Sequence, residues 1–180
     1  MFRAVAQMSQ LVFQPALDPF HAVFRFFRLL PISRAAGSLL VDHVRILDFY
    51  LLFPFRIRSI RLAPGHQHFK KLSEKYAHLT PYGEQPDAPL LFERMQPMQL
   101  AALETMAAQR YIDDGAFSND AFKSTDKKIS DEILSRVHEL NSSQADLVDF
   151  LTVLAEGYEL SGPSGLKART ELMEYRYDAI

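Results

Sequence analysis

The sequence predicts a mainly α-helical fold with a small β hairpin. Apolar residues make up 48% of the chain and recur at helical spacing over long stretches. Residues that cap helices precede several of these stretches, among them Asp18-Pro19 and Ser130. The turn Asp113-Asp114-Gly115, whose glycine suits the positive φ of a hairpin turn, separates residues 111–112 from residues 116–125. We therefore expect these two segments to pair as strands after a long helix.

The first predicted helix spans residues 20–30. Asp18 provides its N-cap and Pro19 its first position, where the missing N–H of proline costs nothing. Pro31 is expected to end the helix. Three polar residues, His21, Arg25 and Arg28, follow one stripe of this otherwise apolar segment. We expect that stripe to face solvent and the rest of the helix to be buried on more than one side.

The second predicted helix runs from the N-cap Ser38 to Phe53. Pro54 is expected to stop it and to open a short helix that carries Arg56 and Arg58. The narrow polar side of the long helix is formed by Asp42, Arg45 and either Asp48 or Phe49. This stretch places an apolar helix end directly against a cluster of arginines, so we interpret it as a packing or docking element.

Three further helices are predicted in the C-terminal half. One spans residues 98–110, and a second follows the N-cap Ser130. The third follows Ser143, which forms a capping-box variant with Asp146, and this helix ends near Gly157. The buried face of the second helix is predicted to hold Ile133, Leu134, Val137 and Leu140. Four prolines between residues 63 and 89 bracket a short helix at 69–78 and indicate a connection between the two halves.

The two halves of the 180-residue chain carry opposite charge, although the formal net charge is only −2. Residues 1–75 hold eleven Lys and Arg against four Asp and Glu, a formal charge of +7, whereas residues 76–180 hold nine against eighteen, a formal charge of −9. We expect a basic helical half over residues 1–80 and an acidic half over residues 81–180, packed as one unit. The C-terminal half is predicted to be winged-helix-like, because many such domains end in a helix followed by a short hairpin. Either the halves attract each other or bind different partners, or they simply have separate solvated faces.

Composition excludes several classes of site. The chain has no Cys, which rules out disulfides, thiolate metal sites and cysteine nucleophiles. Gln and Ser interrupt the apolar residues at 1–11, so we expect no signal peptide, and the apolar stretch 44–55 is too short and too charged to cross a membrane. We therefore expect a cytoplasmic protein.

No combination of residues predicts catalysis, a cofactor or a metal. His66 and His68 offer two imidazoles, but no third ligand follows at a suitable spacing, and we interpret them as part of a solvated loop. The glycines of residues 162–167 have the wrong spacing for a phosphate-binding loop, so this segment is predicted to be a turn. We expect the chain not to be an enzyme.

The densest basic group of the sequence lies between residues 56 and 71. It consists of Arg56, Arg58, Arg61, Lys70 and Lys71. Such residues can contact nucleic-acid phosphates, and all five are candidate nucleic-acid contacts. Two alternatives stay open, since the arginines can also pair with acids of the C-terminal half or meet an acidic partner protein.

Three blocks of the sequence resemble the middle components of bacterial ABC three-component systems. The blocks are residues 13–21 with Phe24-Arg25, residues 46–54, and residues 162–170 with residues 173–178. Their order and spacing carry the resemblance, and the Lamassu anti-phage systems are the most similar described setting. The resemblance implies a winged-helix-like accessory subunit that docks on an SMC-like ATPase. It further implies that the subunit helps to hold an effector, commonly a nuclease, inactive until foreign DNA is sensed.

The resemblance implies no catalytic residues, and we propose interface candidates only. They are Asp48, Phe49, Tyr50, Arg56, Arg58 and Arg61, where apolar and basic residues adjoin. The competing interpretation is a freestanding winged-helix transcriptional regulator that binds DNA by itself through phosphate contacts and groove recognition. The two interpretations differ in their partners: an ATPase and an effector in the first, duplex DNA alone in the second.

Overall fold

The computed structural model describes residues 15–174 and confirms the mainly α class. The helices are α1 (Pro19–Ala36), α2 (Val41–Leu52), α3 (Leu72–Lys75), α4 (Ala88–Ala108), α5 (Asp114–Ser118), α6 (Asp131–Ser143), α7 (Ala145–Gly157) and α8 (Leu166–Thr170). The strands are β1 (Leu39–Leu40) and β2 (Ala121–Phe122), and 3₁₀ helices cover Pro15–Leu17, Pro54–Ser59, Pro64–Lys71 and Ala77–Leu79. The expectation about residues 1–11, and residues 13–14 and 175–178 of the resemblance blocks, lie outside the described residues.

The small β element is an antiparallel sheet of two strands from opposite halves of the chain. Leu39 pairs with Phe122 and Leu40 with Ala121. The predicted pairing around residues 111–125 is represented by an antiparallel bridge between Ile112 and Ser124. These contacts fix the start of α2 against the segment that follows α5.

The turn predicted at Asp113-Asp114-Gly115 is instead the start of α5. The Asp113 carboxylate accepts a hydrogen bond from the Ala116 backbone N–H at 2.7 Å, which caps a short helix in place of a hairpin turn. Gly115 is not among the described glycines with positive φ, and Asp120 takes the left-handed conformation (φ 61°) before β2. The prediction of a positive-φ glycine at this position was therefore wrong.

Helix α1 begins as predicted but continues through Pro31. The Asp18 carboxylate accepts from the Phe20 and His21 backbone N–H groups, and the helix ends only before Gly37 (φ 84°). Beyond the proline, Ile32 and Ser33 are buried, and the Ser33 hydroxyl donates to the Phe122 carbonyl at 3.1 Å. This packing offsets the backbone hydrogen bond that proline cannot make.

The stripe of polar residues on α1 does not face solvent. His21 is exposed, but Arg25 and Arg28 are only 5% and 8% exposed. The reason is that α1 is surrounded: it packs against α2, α4, α6 and α7. The prediction of a solvated basic stripe was therefore wrong for both arginines.

Helix α2 starts two residues later than predicted, with Leu40 rather than Ser38 at its N-cap position. Ser38 does not cap it, because Leu39 and Leu40 are used in the sheet and the Val41 N–H donates to the Asp120 carbonyl at 3.0 Å. The predicted stop is confirmed, since the helix ends before Pro54 and a 3₁₀ helix begins there.

Helix α4 is longer than predicted. It starts at Ala88, where the Asp87 side chain accepts from the Leu90 backbone N–H at 3.2 Å, and it passes through Pro97. The Ser130 cap of α6 and the end of α7 at Gly157 are confirmed. Two details differ: Leu134 is 42% exposed, and Gln144 rather than Ser143 precedes α7.

One cluster of buried apolar side chains includes residues of both halves of the chain. Its largest fully buried members include Phe26, Phe49, Phe92, Phe122 and Phe150, which come from α1, α2, α4, β2 and α7. Within residues 15–174, no helix is long and apolar enough to span a membrane.

Candidate partner-binding surface

The predicted basic group lies on two 3₁₀ helices and the link between them. Prolines start both helices, Pro54–Ser59 and Pro64–Lys71, because a proline at the first position gives up no needed N–H. The two helices pack on each other, and the first also packs on α3. The fold therefore holds these cations on neighbouring elements, although it gives them different surroundings.

Arg56 is half-buried and points back to the protein. Its guanidinium donates to the Pro86 carbonyl at 2.9 Å and lies about 6 Å from the ring centres of Phe53 and Phe55. Burial lowers the pKa of Arg56, while the neighbouring Tyr50 and Asp87 act to raise it. This arginine therefore orders the loop before α4 rather than presenting its charge freely.

Arg61 fastens its segment to the C-terminal helix. Its guanidinium donates to the Ala168 carbonyl and lies 3.2 Å from the Glu171 carboxylate. The Arg61 backbone N–H donates to the Arg169 carbonyl at 3.1 Å, and the Arg169 guanidinium donates back to the Arg61 carbonyl at 2.5 Å. The last resemblance block, around residues 162–170, is thus packed directly beside the basic group.

The remaining three cations, Arg58, Lys70 and Lys71, have no such partners. Arg58 and Lys71 are exposed and Lys70 is half-buried, and none of the three makes an ion pair or hydrogen bond with another described residue through its side chain. We call them the basic trio. Their charge is available to a partner, whereas that of Arg56 and Arg61 is partly used within the chain.

The apolar part of the predicted interface is in the core. Asp48 and Phe49 are fully buried and Tyr50 is 1% exposed. The Phe49 ring packs edge-on against Tyr50 (5.2 Å between centres) and against Phe92 (5.8 Å). The interface prediction must therefore be corrected for these three residues, because no surface of the folded chain presents them, and it rests on the arginines alone.

Asp48 instead anchors a buried polar network between α1, α2 and α4. The Arg25 guanidinium donates to both of its carboxylate oxygens, at 2.5 and 3.0 Å. Gln99 donates to Asp48 at 2.9 Å, and Arg45 donates to the Gln99 side-chain oxygen at 3.0 Å. Arg45 in turn donates to Asp42 at 2.6 Å. Gln99 joins the two ion pairs, so every buried member of the network has a partner of suitable polarity.

Sequence reasoning missed this network because Arg25 and Gln99 are far from Asp48 in the chain. Arg25 and Gln99 lie on helices that have no sequence signal in common. In the structure, the clearest sign of the network is Gln99 of α4, an amide side chain with no solvent exposure. Similarly, Arg28 is buried against neutral amides: it donates to Asn141 at 2.9 Å and to Gln144 at 2.7 Å, and burial lowers its pKa.

His43 provides a pH-dependent contribution to stability. It is 6% exposed, its Nε2 lies 3.0 Å from the Leu154 carbonyl, and burial lowers its pKa, opposed by this hydrogen bond and by Glu159. The unfolded chain, with an ordinary histidine pKa of 6.5, therefore takes up the proton first as pH falls. The stabilisation is complete above that value and is lost as pH falls through the lower folded-state pKa.

We expect the free energy of unfolding to decrease between about pH 7.5 and about pH 5.5 in part because His43 becomes protonated. In the variant His43→Gln this part of the decrease should disappear, so the stability gap between the two proteins narrows as pH falls. Denaturant unfolding at several pH values measures the gap. A gap that stays constant over this range would contradict the assignment to His43.

His66 and His68 lie on the 3₁₀ helix Pro64–Lys71, where a solvated loop was predicted, and His66 is half-buried. The His66 Nδ1 lies 2.7 Å from the Tyr158 hydroxyl, and the His68 Nδ1 lies 3.1 Å from the Gly65 carbonyl. Among residues 15–174, no three His, Cys, Asp or Glu side chains are grouped closely enough to hold a metal ion. Residues 162–165 form a turn, in which Gly162 has a φ of 86°.

Comparison with known families decides what kind of component carries this surface. The family profile described as ABC-three component (ABC-3C) system Middle Component 5 matches residues 11–178. The chain belongs to this family. No curated protein and no solved structure matches it.

As a Middle Component 5 protein, the chain is part of a multi-component system, and it therefore has protein partners. The resemblance noted from the three sequence blocks is confirmed at this level. The structure shows what two of these blocks do in the fold. The block 46–54 supplies the buried Asp48 and its neighbours, and the block around 162–170 packs against Arg61.

Proposed function

We propose that this Middle Component 5 protein is a non-catalytic accessory subunit that links an SMC-like ATPase to an effector, a nuclease, in an anti-phage defence complex of the Lamassu type. The observation that carries the proposal is the family match, which extends over residues 11–178 and so over nearly the whole chain. Because the family match covers nearly the whole chain, we expect the main role of the chain to be that of a middle component. Such a component needs surfaces that bind the other proteins of its system. Its expected location is the cytoplasm, where such a complex meets foreign DNA.

The basic trio supports a docking role. Its three cations, which make no side-chain ion pair or hydrogen bond with another described residue, lie on two packed 3₁₀ helices, and their charge can steer and orient an acidic partner. We assign this surface to the ATPase. Arg56 and Arg61 support it from behind, because their hydrogen bonds to Pro86 and Ala168 hold the segment in place.

Co-expression with the ATPase and effector of its operon, followed by purification through a tag on this chain, tests the proposal. We expect both partners to be recovered with the native chain. In the double reversal Arg58→Glu/Lys71→Glu, recovery of the ATPase should fall about tenfold or more, because like charges then face each other across the interface. Quantitative immunoblotting of the eluate gives the ratio.

The matched control is the double reversal Arg110→Glu/Lys123→Glu. Both side chains are exposed, and neither makes an ion pair or side-chain hydrogen bond with another described residue. Two cations again become two carboxylates, so the net charge changes by the same amount as in Arg58→Glu/Lys71→Glu. The control should recover the ATPase like the native chain. Equal recovery by both double variants, with unchanged melting temperatures, would reject the basic trio as the docking surface. Failure of the native chain to recover either partner would reject the accessory role itself.

The same three cations also favour the second candidate, a freestanding winged-helix regulator. Unpaired Arg and Lys side chains on adjoining elements suit phosphate contacts, and the loss of duplex binding with added salt reports how many are made. This candidate predicts that the isolated chain binds a specific duplex and that Arg58→Glu/Lys71→Glu weakens all duplexes alike. Absence of duplex binding by the isolated chain, measured at low salt, favours the accessory role.

A further inference from the structure

The structure also has a concave surface that is not lined by any residue of the basic trio. It is a cleft of about 780 Å³ between the start of α2, the first turns of α4 and residues 171–174. We call it the α4 groove. Its volume lies within the range of sites that hold ligands or short chain segments. Helix α4 forms one wall, and its start is fixed by the Asp87 cap and by the hydrogen bond from Arg56 to the Pro86 carbonyl.

The groove offers exposed apolar contacts over a buried floor. Leu90 is 41% exposed, Pro89 beside it is exposed and Met173 on the opposite wall is half-buried. Beneath them lie the buried rings and side chains of Phe92 and Leu172. Apolar side chains in a concave site favour an apolar group of a partner, which would remove them from water.

The rim of the groove is acidic, and part of that charge is unpaired. Glu93 makes no ion pair or side-chain hydrogen bond with another described residue, and Asp87 has no ion pair with one. Glu171 pairs with Arg61, but the two side chains are 67% and 58% exposed, so the pair is weak and open to exchange. Asp42, by contrast, is held by Arg45 at 2.6 Å.

We propose that the α4 groove binds a segment of a second partner protein in which an apolar side chain is flanked by arginine or lysine. The apolar residues Leu90 and Met173 would receive the apolar side chain, and Asp87, Glu93 and Glu171 would pair with the cations. Nucleic acid is the wrong occupant, because its phosphates would meet carboxylates. The inference rests on the proposed function, since it gives the accessory subunit separate surfaces for two partners.

Variants of the groove test this assignment in the co-expressed complex. The double variant Asp87→Asn/Glu93→Gln removes two charges while asparagine keeps the helix cap. The single variant Leu90→Arg fills the apolar part with a charge at an exposed position. Each should lower recovery of the effector about tenfold or more and leave recovery of the ATPase unchanged. The control Glu104→Gln/Glu139→Gln removes two exposed charges elsewhere and should recover both partners.

A photo-crosslinker in place of Leu90 identifies the occupant. In the native complex we expect a crosslink to the effector, at a peptide where an apolar residue adjoins arginine or lysine, as read by mass spectrometry. A crosslink to a second copy of this chain, to nucleic acid or to an acidic peptide would overturn the proposal. So would full effector recovery by both groove variants, or equal loss of both partners. If the native chain recovers no partner at all, the proposed function fails first, which separates the two failures.

Discussion

Replacement of Asp48 by alanine is expected to lower the free energy of unfolding by about 3–5 kcal/mol. The carboxylate is fully buried and accepts two hydrogen bonds from the Arg25 guanidinium, at 2.5 and 3.0 Å, together with one from Gln99; Arg25 makes a third, to the Pro15 carbonyl. Removing it leaves the Arg25 charge buried without a counterion, and the Gln99 amide loses a partner. Chemical denaturation at neutral pH, followed by circular dichroism, measures the change.

Two comparison variants locate the effect in the buried pair. Asp131→Ala removes a carboxylate that pairs with Lys128 at the surface, where both side chains are more than four-fifths exposed, and should cost no more than about 1 kcal/mol. The double variant Arg25→Met/Asp48→Leu removes both charges and should be clearly more stable than Asp48→Ala. If Asp48→Ala is no more harmful than Asp131→Ala, the network does not stabilise the folded chain.

Replacement of Phe122 by alanine is expected to be the second large loss, about 3–5 kcal/mol. The ring is fully buried in β2, 6.2 Å from the Phe26 ring of α1, and its residue pairs with Leu39. The substitution leaves a cavity where the two halves of the chain meet. Besides the lower stability, we expect faster hydrogen exchange at the amides of β1 and of the start of α2.

Phe20→Ala is the matched control, since the same atoms are removed from a ring that is 84% exposed. Its effect on the free energy of unfolding should stay within about 0.5 kcal/mol. A loss of stability in Phe20→Ala as large as in Phe122→Ala would mean that the surroundings of these two rings differ from those described. Exchange rates that rise only in α8, far from β2 in the chain, would argue against β2 as the joint between the halves.

Local signals in the sequence predicted much of the helical structure. Asp18 and Ser130 each precede an apolar segment with helical spacing, and each caps the helix that follows. Pro54 ends a helix because it lacks an N–H. These effects involve neighbours within a few residues. By contrast, Asp113 was predicted to open a hairpin turn, but it caps a short helix, because an aspartate side chain can serve either role and only the surroundings choose.

Long-range pairing was beyond the sequence. A polar stripe such as Arg25 and Arg28 has the same spacing whether it faces water or polar groups on other helices. The carboxylate that binds Arg25 belongs to Asp48, 23 positions further along the chain. Strands of two residues have no periodicity to detect, so the pairing of Leu39 with Phe122 had no signal. The sequence predicted the basic group as one charged surface. Which of its cations bind within the chain depends on distant carbonyls, since Arg56 donates to Pro86 and Arg61 donates to Ala168.

The two-stranded sheet has a consequence for how this protein emerges from the ribosome. Leu39 and Leu40 find their partners only after residues 121–122 have been synthesised. Helix α1 packs first against α2 and α4, and its remaining sides are covered by α6 and α7. Part of the apolar surface of α1 and α2 therefore stays uncovered until β2, α6 and α7 have been synthesised. We expect nascent chains that stop near residue 110 to be sensitive to proteases and to recruit chaperones, whereas chains released after α7 are protected.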